Sequence, residues 1–92
     1  MRRAARIDAN QPEILRAAEQ LGCTVLLLHQ VGKGCPDALI GHAGKRGRVN
    51  ILVELKAEKG KLTPEQIRFH REWRGQVAIV CTVADLLAVL KA

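Results

Sequence analysis

Glycine and proline cut this chain into pieces too short to stand alone, and the break points limit what it can fold into. Gly22, the Gly32–Pro36 stretch, the Gly41–Gly47 stretch and Gly75 separate segments whose apolar residues recur with different periods. Before Gly22, Ile14, Ala17, Ala18 and Leu21 recur at helical spacing, with Asn10 placed to cap and Pro12 suited to the first turn. Cys23–Val31 is a largely apolar stretch rich in Leu and Val, too short for a helix between its glycines, and reads as a strand. A loop follows over Gly32–Pro36, then a second strand over Asp37–Ile40 and a turn over Gly41–Gly47 with a basic tip. Val49–Lys56 reads as a third strand with Ile51, Val53 and Leu55 on one face. Thr63-Pro64-Glu65-Gln66 is a helix start, with a capping Thr, Pro in the first helical position and Gln three residues after the cap. Gly75 ends that helix. Val77–Cys81 reads as a fourth strand, and Thr82 caps a last helix carrying Val83, Leu86, Leu87 and Leu90. The order is helix, three strands, helix, strand, helix: an α/β chain with a small sheet covered by helices.

With 92 residues the chain has room for one domain. Phe69 and Trp73 are its only large rings, so the core falls to Leu, Ile, Val and Ala, and both rings are expected to help seal it. No purely apolar run, Val25–Leu28 included, comes near the ~18 residues of a membrane span. Arg2, Arg3, Arg6 and Asp8 leave no hydrophobic leader region near the first residue, and residues 1–7 read as a loose start. Cys23, Cys35 and Cys81 form no C-x-x-C pair, and His29, His42 and His70 complete no zinc spacing. Reduced thiols follow, with Cys23 and Cys81 as small core residues of a cytoplasmic protein. The formal charge of +6 points to a polyanionic partner, because clustered Lys and Arg attract phosphate backbones.

Two short motifs stand out. Pro36-Asp37 opens the second strand, and Glu54-Leu55-Lys56 closes the third. Alternation along a strand turns Glu54 and Lys56 to one side and Leu55 to the other. Charged groups within an aliphatic strand are costly unless paired or bound to an ion. If the two strands are neighbours, Asp37 lies next to Glu54 beside one lysine. Two close carboxylates repel, and a hard cation such as Mg²⁺ relieves the repulsion while leaving room for water and phosphate. Such a constellation suits metal-assisted phosphodiester hydrolysis.

Asp37 followed by Glu54-x-Lys56 after a basic turn resembles the PD-(D/E)xK nuclease superfamily. Gly34-Cys35-Pro36-Asp37, Val53-Glu54-Leu55-Lys56 and Leu62-Thr63-Pro64-Glu65-Gln66 together resemble its VRR-NUC (virus-type replication-repair nuclease) branch, over Asp8 to Leu87. The resemblance implies a restriction-endonuclease-like core in the order αβββαβα. It implies that Asp37, Glu54 and the backbone carbonyl of Leu55 ligate Mg²⁺ or Mn²⁺, and that Lys56 activates water and stabilises developing charge. It also implies that Gln66 lies near the scissile phosphate and that Glu13 contacts the metal directly or through water. The implied activity is an endonuclease on branched DNA such as four-way junctions, working as a homodimer in a phage or bacterial setting. Two alternatives stand beside it: a flap or single-strand nuclease within a larger assembly, and a DNA-binding module without catalysis.

Several of these residues have a plainer reading as well. Gln66 stands where a capping box needs it, and Glu13 is an acid in a first helical turn, favourable against the helix dipole whatever the function. Lys33, Lys45, Arg46, Arg48, Lys59 and Lys61 are expected on loops flanking the site, as phosphate contacts or as solvated surface charge. His29 and His70 pair with no nucleophile and read as structural.

Overall fold

A computed structural model describes residues 11–57 and 59–91. The expected cap Asn10 and the start over residues 1–7 lie outside the described residues. The elements are α1 (Gln11–Gln20), β1 (Thr24–Leu27), β2 (Ala38–Gly44), β3 (Gly47–Leu55), α2 (Pro64–Glu72), β4 (Val77–Val80) and α3 (Val83–Lys91). Their order is the αβββαβα expected. The four strands form one mixed sheet in the order β1-β2-β3-β4. The first three are antiparallel, and β4 runs parallel to β3, a pairing that the crossover through α2 makes possible.

Local chemistry sets most of the boundaries. Gly22 takes a positive φ of 89°, and the Cys23 N–H closes on the Ala18 carbonyl, which terminates α1. Thr82 and Asp85 exchange backbone–side-chain bonds of 3.1 and 3.2 Å and cap α3. Two expectations need correction. β1 stops at Leu27, short of Val31, because the chain turns at Leu28–Val31 into a loop holding Gly32, Lys33 and Gly34 at positive φ. The turn expected over Gly41–Gly47 is mostly strand. β2 runs through Gly44, and only Lys45 and Arg46 separate Gly44 from its partner Gly47. Gly41 fits inside β2 because a Cβ there would collide with the Thr24 hydroxyl on β1.

The two faces of the sheet differ. Ile40, Ile51, Val53, Leu55 and Val80 point to one side and pack with Ile14, Ala18 and Leu86 of α1 and α3. Cys23 is buried in that core, whereas Cys81 is only partly covered, and all three cysteines are free thiols. The other side carries Leu52 and Glu54 and is partly covered by α2. Here the expectation for the aromatic rings fails: no residue of α2 is fully buried, and Trp73 is 47% exposed. Phe69 and Trp73 stack on each other at 5.1 Å instead of entering the core. The aliphatic layer under α1 and α3 closes without them.

Candidate active site

Pairing of Ala38 with Val53 carries Asp37, one residue before β2, to the position facing Glu54. Directly opposed residues of an antiparallel pair share a face, so the register brings both acids to one place. Asp37 is fixed there by its own side chain, whose Oδ2 accepts the Leu55 N–H at 2.7 Å. Pro36 is buried just before it. Glu54 is 1% exposed, beneath α2. The Lys56 N–H bonds to the Val80 carbonyl at 3.1 Å, which continues the extended pairing with β4 one residue past β3. Lys56 therefore starts on the Glu54 side of the chain.

Helix α2 addresses Glu54 with two side chains one turn apart. Gln66 Nε2 donates to Glu54 Oε2 at 3.2 Å, and His70 Nε2 lies 3.8 Å from Oε1. Gln66 completes the capping box and also reaches Glu54. Its Oε1 accepts the Thr63 N–H at 2.8 Å, its own N–H reaches Thr63 Oγ1 at 3.2 Å, and its Nε2 remains for Glu54. The capping box thus holds the amide in the rotamer that meets the carboxylate. The N-terminus of α2 is itself pressed against the Gly32–Pro36 loop. Gly34, at a φ of 78°, lies so close to the Glu65 carbonyl that a Cβ would collide with it.

The electrostatics agree with this placement. Burial pushes the Cys35 thiol up, and the negative charges of Glu54 and Asp37 add to the effect, as expected for a thiol beside both acids. Burial also holds the His70 imidazole below its ordinary value, so it is neutral at neutral pH.

A structure described as a VRR-NUC domain superposes on this chain with a TM-score of 0.68 and 28% identity, covering 91% of this chain and 97% of that one. In fold and in sequence the chain is similar to that VRR-NUC domain. No protein-family model matches the sequence, and no curated protein does. Within the VRR-NUC fold the sequence-derived residues divide into two groups. Asp37, Glu54, the Leu55 main chain and Gln66 meet directly. Glu13 does not join them: it is exposed on α1. Its turn of helix sends a different residue inward. Gln11, 2% exposed, donates from Nε2 to the Leu55 carbonyl at 3.5 Å, while its Oε1 has no hydrogen-bond partner among the described residues.

Gln11 is the site neighbour that sequence reasoning missed, and His70, expected to be structural, lies beside Glu54; both left a signal. Gln11 lies on the helical stripe of Ile14 and Ala18, a polar side chain on an apolar face. His70 lies four residues after Gln66, on the same side of α2. Lys45, Arg46 and Arg48 need a correction of place. They are at the hairpin tip, at the opposite end of β2 and β3 from the acids, because the strands run on where a turn over Gly41–Gly47 was expected. Lys59 and Lys61 follow β3, and Lys33 lines a shallow open pocket together with Glu65 and Arg68 of α2.

The donor chemistry suits a hard divalent cation. Among the described residues no three of His, Cys, Asp and Glu converge on a metal position. The protein offers two facing carboxylates and a main-chain carbonyl, all oxygen donors. A Mg²⁺-type ion commonly takes one or two carboxylates and completes its shell with water and substrate phosphate.

Proposed function

We propose that the protein is a divalent-metal-dependent endodeoxyribonuclease acting on branched DNA, with the four-way junction as its reading of first choice. The observation that carries this is the register that sets Asp37 against Glu54 while the Leu55 N–H holds the Asp37 side chain. Asp37, Glu54 and the Leu55 carbonyl are the groups that would hold Mg²⁺ or Mn²⁺. Such an ion, when bound, polarises the phosphate and lowers the pKa of water. The chain's own residues do the rest. Lys56, adjacent to the acid pair, orients the attacking water and stabilises charge developing on the phosphate. Gln66 keeps the Glu54 carboxylate oriented. Lys33, Lys59 and Lys61 lead the DNA backbone toward the acids. Glu13, exposed on α1, is not assigned a metal contact.

The homodimer and the cytoplasmic setting follow from the resemblance and the free thiols. Among the described residues no helix is long and apolar enough to cross a membrane. Symmetric cutting of a junction needs two such sites, and a mass measurement in solution tests the pair.

The test of activity is a labelled panel of duplex, flap, splayed and four-way DNA with and without Mg²⁺ or Mn²⁺. Wild-type protein is expected to cut the four-way form, and Glu54→Ala and Lys56→Ala to fold but lose cutting. Products from the flap alone favour the assembly-bound nuclease. Binding without products under every metal favours the non-catalytic module, and undiminished cutting by either variant removes the catalytic assignment.

A further inference from the structure

The β2–β3 tip, far from the acids, carries basic side chains and no acidic one. Lys45, Arg46 and Arg48 are all exposed at the β2–β3 tip, and none makes an ion pair among the described residues. The tip also walls an open groove of about 1310 Å³ whose charged lining residues are Lys45, Arg46 and Lys91, with no carboxylate among them. Unpaired positive charges on a two-stranded hairpin form an anion contact.

The strand measures its distance from the site. Arg48 is six residues from Glu54 on β3, and an even spacing sets both on the same face of the sheet. At ~3.3 Å per residue the two lie roughly 20 Å apart along the strand. Duplex DNA advances ~3.4 Å per base pair, so this separation spans about six base pairs.

We propose that the β2–β3 tip is a second phosphate contact that grips a duplex arm about six base pairs from the phosphate at the Asp37–Glu54 pair. This rests on the nuclease reading above and adds to it a substrate requirement: a double-stranded arm long enough to reach the tip. The contact reads backbone phosphate and carries no sequence preference.

The experiment measures binding in EDTA by fluorescence anisotropy, so that it does not depend on cleavage. The probes are four-way junctions whose arms, each closed by a stable loop, are about 4, 8 and 12 base pairs long, bracketing the estimated reach. Wild-type affinity is expected to rise on the order of tenfold from the shortest to the middle arm and then level off. Lys45→Ala/Arg46→Ala/Arg48→Ala is expected to bind all three lengths alike, with a salt slope smaller by about 3. Arg48→Lys, which keeps the charge, should retain the length dependence; circular dichroism checks the folding of each variant. Length-independent binding by wild type, or length dependence surviving in the triple variant, overturns the proposal. Cleavage of the longest-arm junction by wild type in Mn²⁺ is scored separately. No products with length-dependent binding intact count against the nuclease reading alone, and products without length dependence count against the arm contact alone.

Discussion

The two faces of the sheet are built by different means. Under α1 and α3, Ile14, Ala18, Ile40, Val53, Leu55, Val80 and Leu86 form a close aliphatic layer. Under α2, the main links are polar: Gln66 and His70 to Glu54, with Gly34 seated against the Glu65 peptide. Hydrophobic burial is non-directional and supplies stability, whereas the hydrogen bond from Gln66 orients one carboxylate. The contrast divides the molecule into a face that keeps it folded and a face that aims Glu54. Strand alternation makes this possible, because neighbouring residues of β3 serve opposite faces.

The largest break in that contrast comes from the packed side. Leu86→Ala leaves a cavity and is expected to cost about 2–5 kcal/mol, with DNA cleavage per folded molecule retained. Chemical denaturation followed by an activity assay below the transition checks it; a loss of cleavage with no loss of stability would dissolve the division. Gln66→Ala reverses the pattern. It removes the side chain that donates to Glu54 Oε2 and that accepts the Thr63 N–H, so cleavage should fall by more than stability does. Thr63→Ala loses the hydroxyl cap at about 0.5–2 kcal/mol but keeps the Thr63 N–H that holds the Gln66 side chain, so cleavage per folded molecule should be largely retained.

Smaller effects sharpen the comparison at the rim of α2. Trp73→Ala removes a stacked pair on a half-exposed ring and is expected to cost about 1 kcal/mol, far below a core substitution; a larger loss would mean that α2 contributes to the core after all. The smallest effect is pH-dependent. Burial lowers the pKa of His70 in the folded state relative to its unfolded value near ~6.5. The unfolded chain therefore binds more protons as pH falls through that value. The stability contributed by neutral His70 is fully present above it and is lost progressively below it. Urea midpoints at pH 5.5 and 7.5 should differ less in His70→Gln than in wild type.

Much of this was legible in the sequence, and the reasons for the gaps are physical. Thr63, Pro64 and Gln66 specify a helix start by local bonding alone, and the Asp37–Glu54 juxtaposition needs only that β2 and β3 pair in register. Local signals failed where a distant group decides. Gly41 resembles a turn residue until the Thr24 hydroxyl on β1 is known to need its space. That longer hairpin carried Lys45, Arg46 and Arg48 away from the acids. Trp73 seemed required for the core until the aliphatic layer proved sufficient. Glu13 and Gln11 share one turn of α1, and only packing against β3 shows that Gln11 is the one turned inward.

The central claim is that Asp37 and Glu54 act as one cation-holding pair. Direct titration of Mn²⁺ into wild type, Asp37→Asn and Glu54→Gln tests it without any DNA. The account predicts one binding event per chain in wild type, lost or weakened at least tenfold in both variants while their circular dichroism is unchanged. A folded variant of either residue that binds Mn²⁺ as wild type does would contradict it.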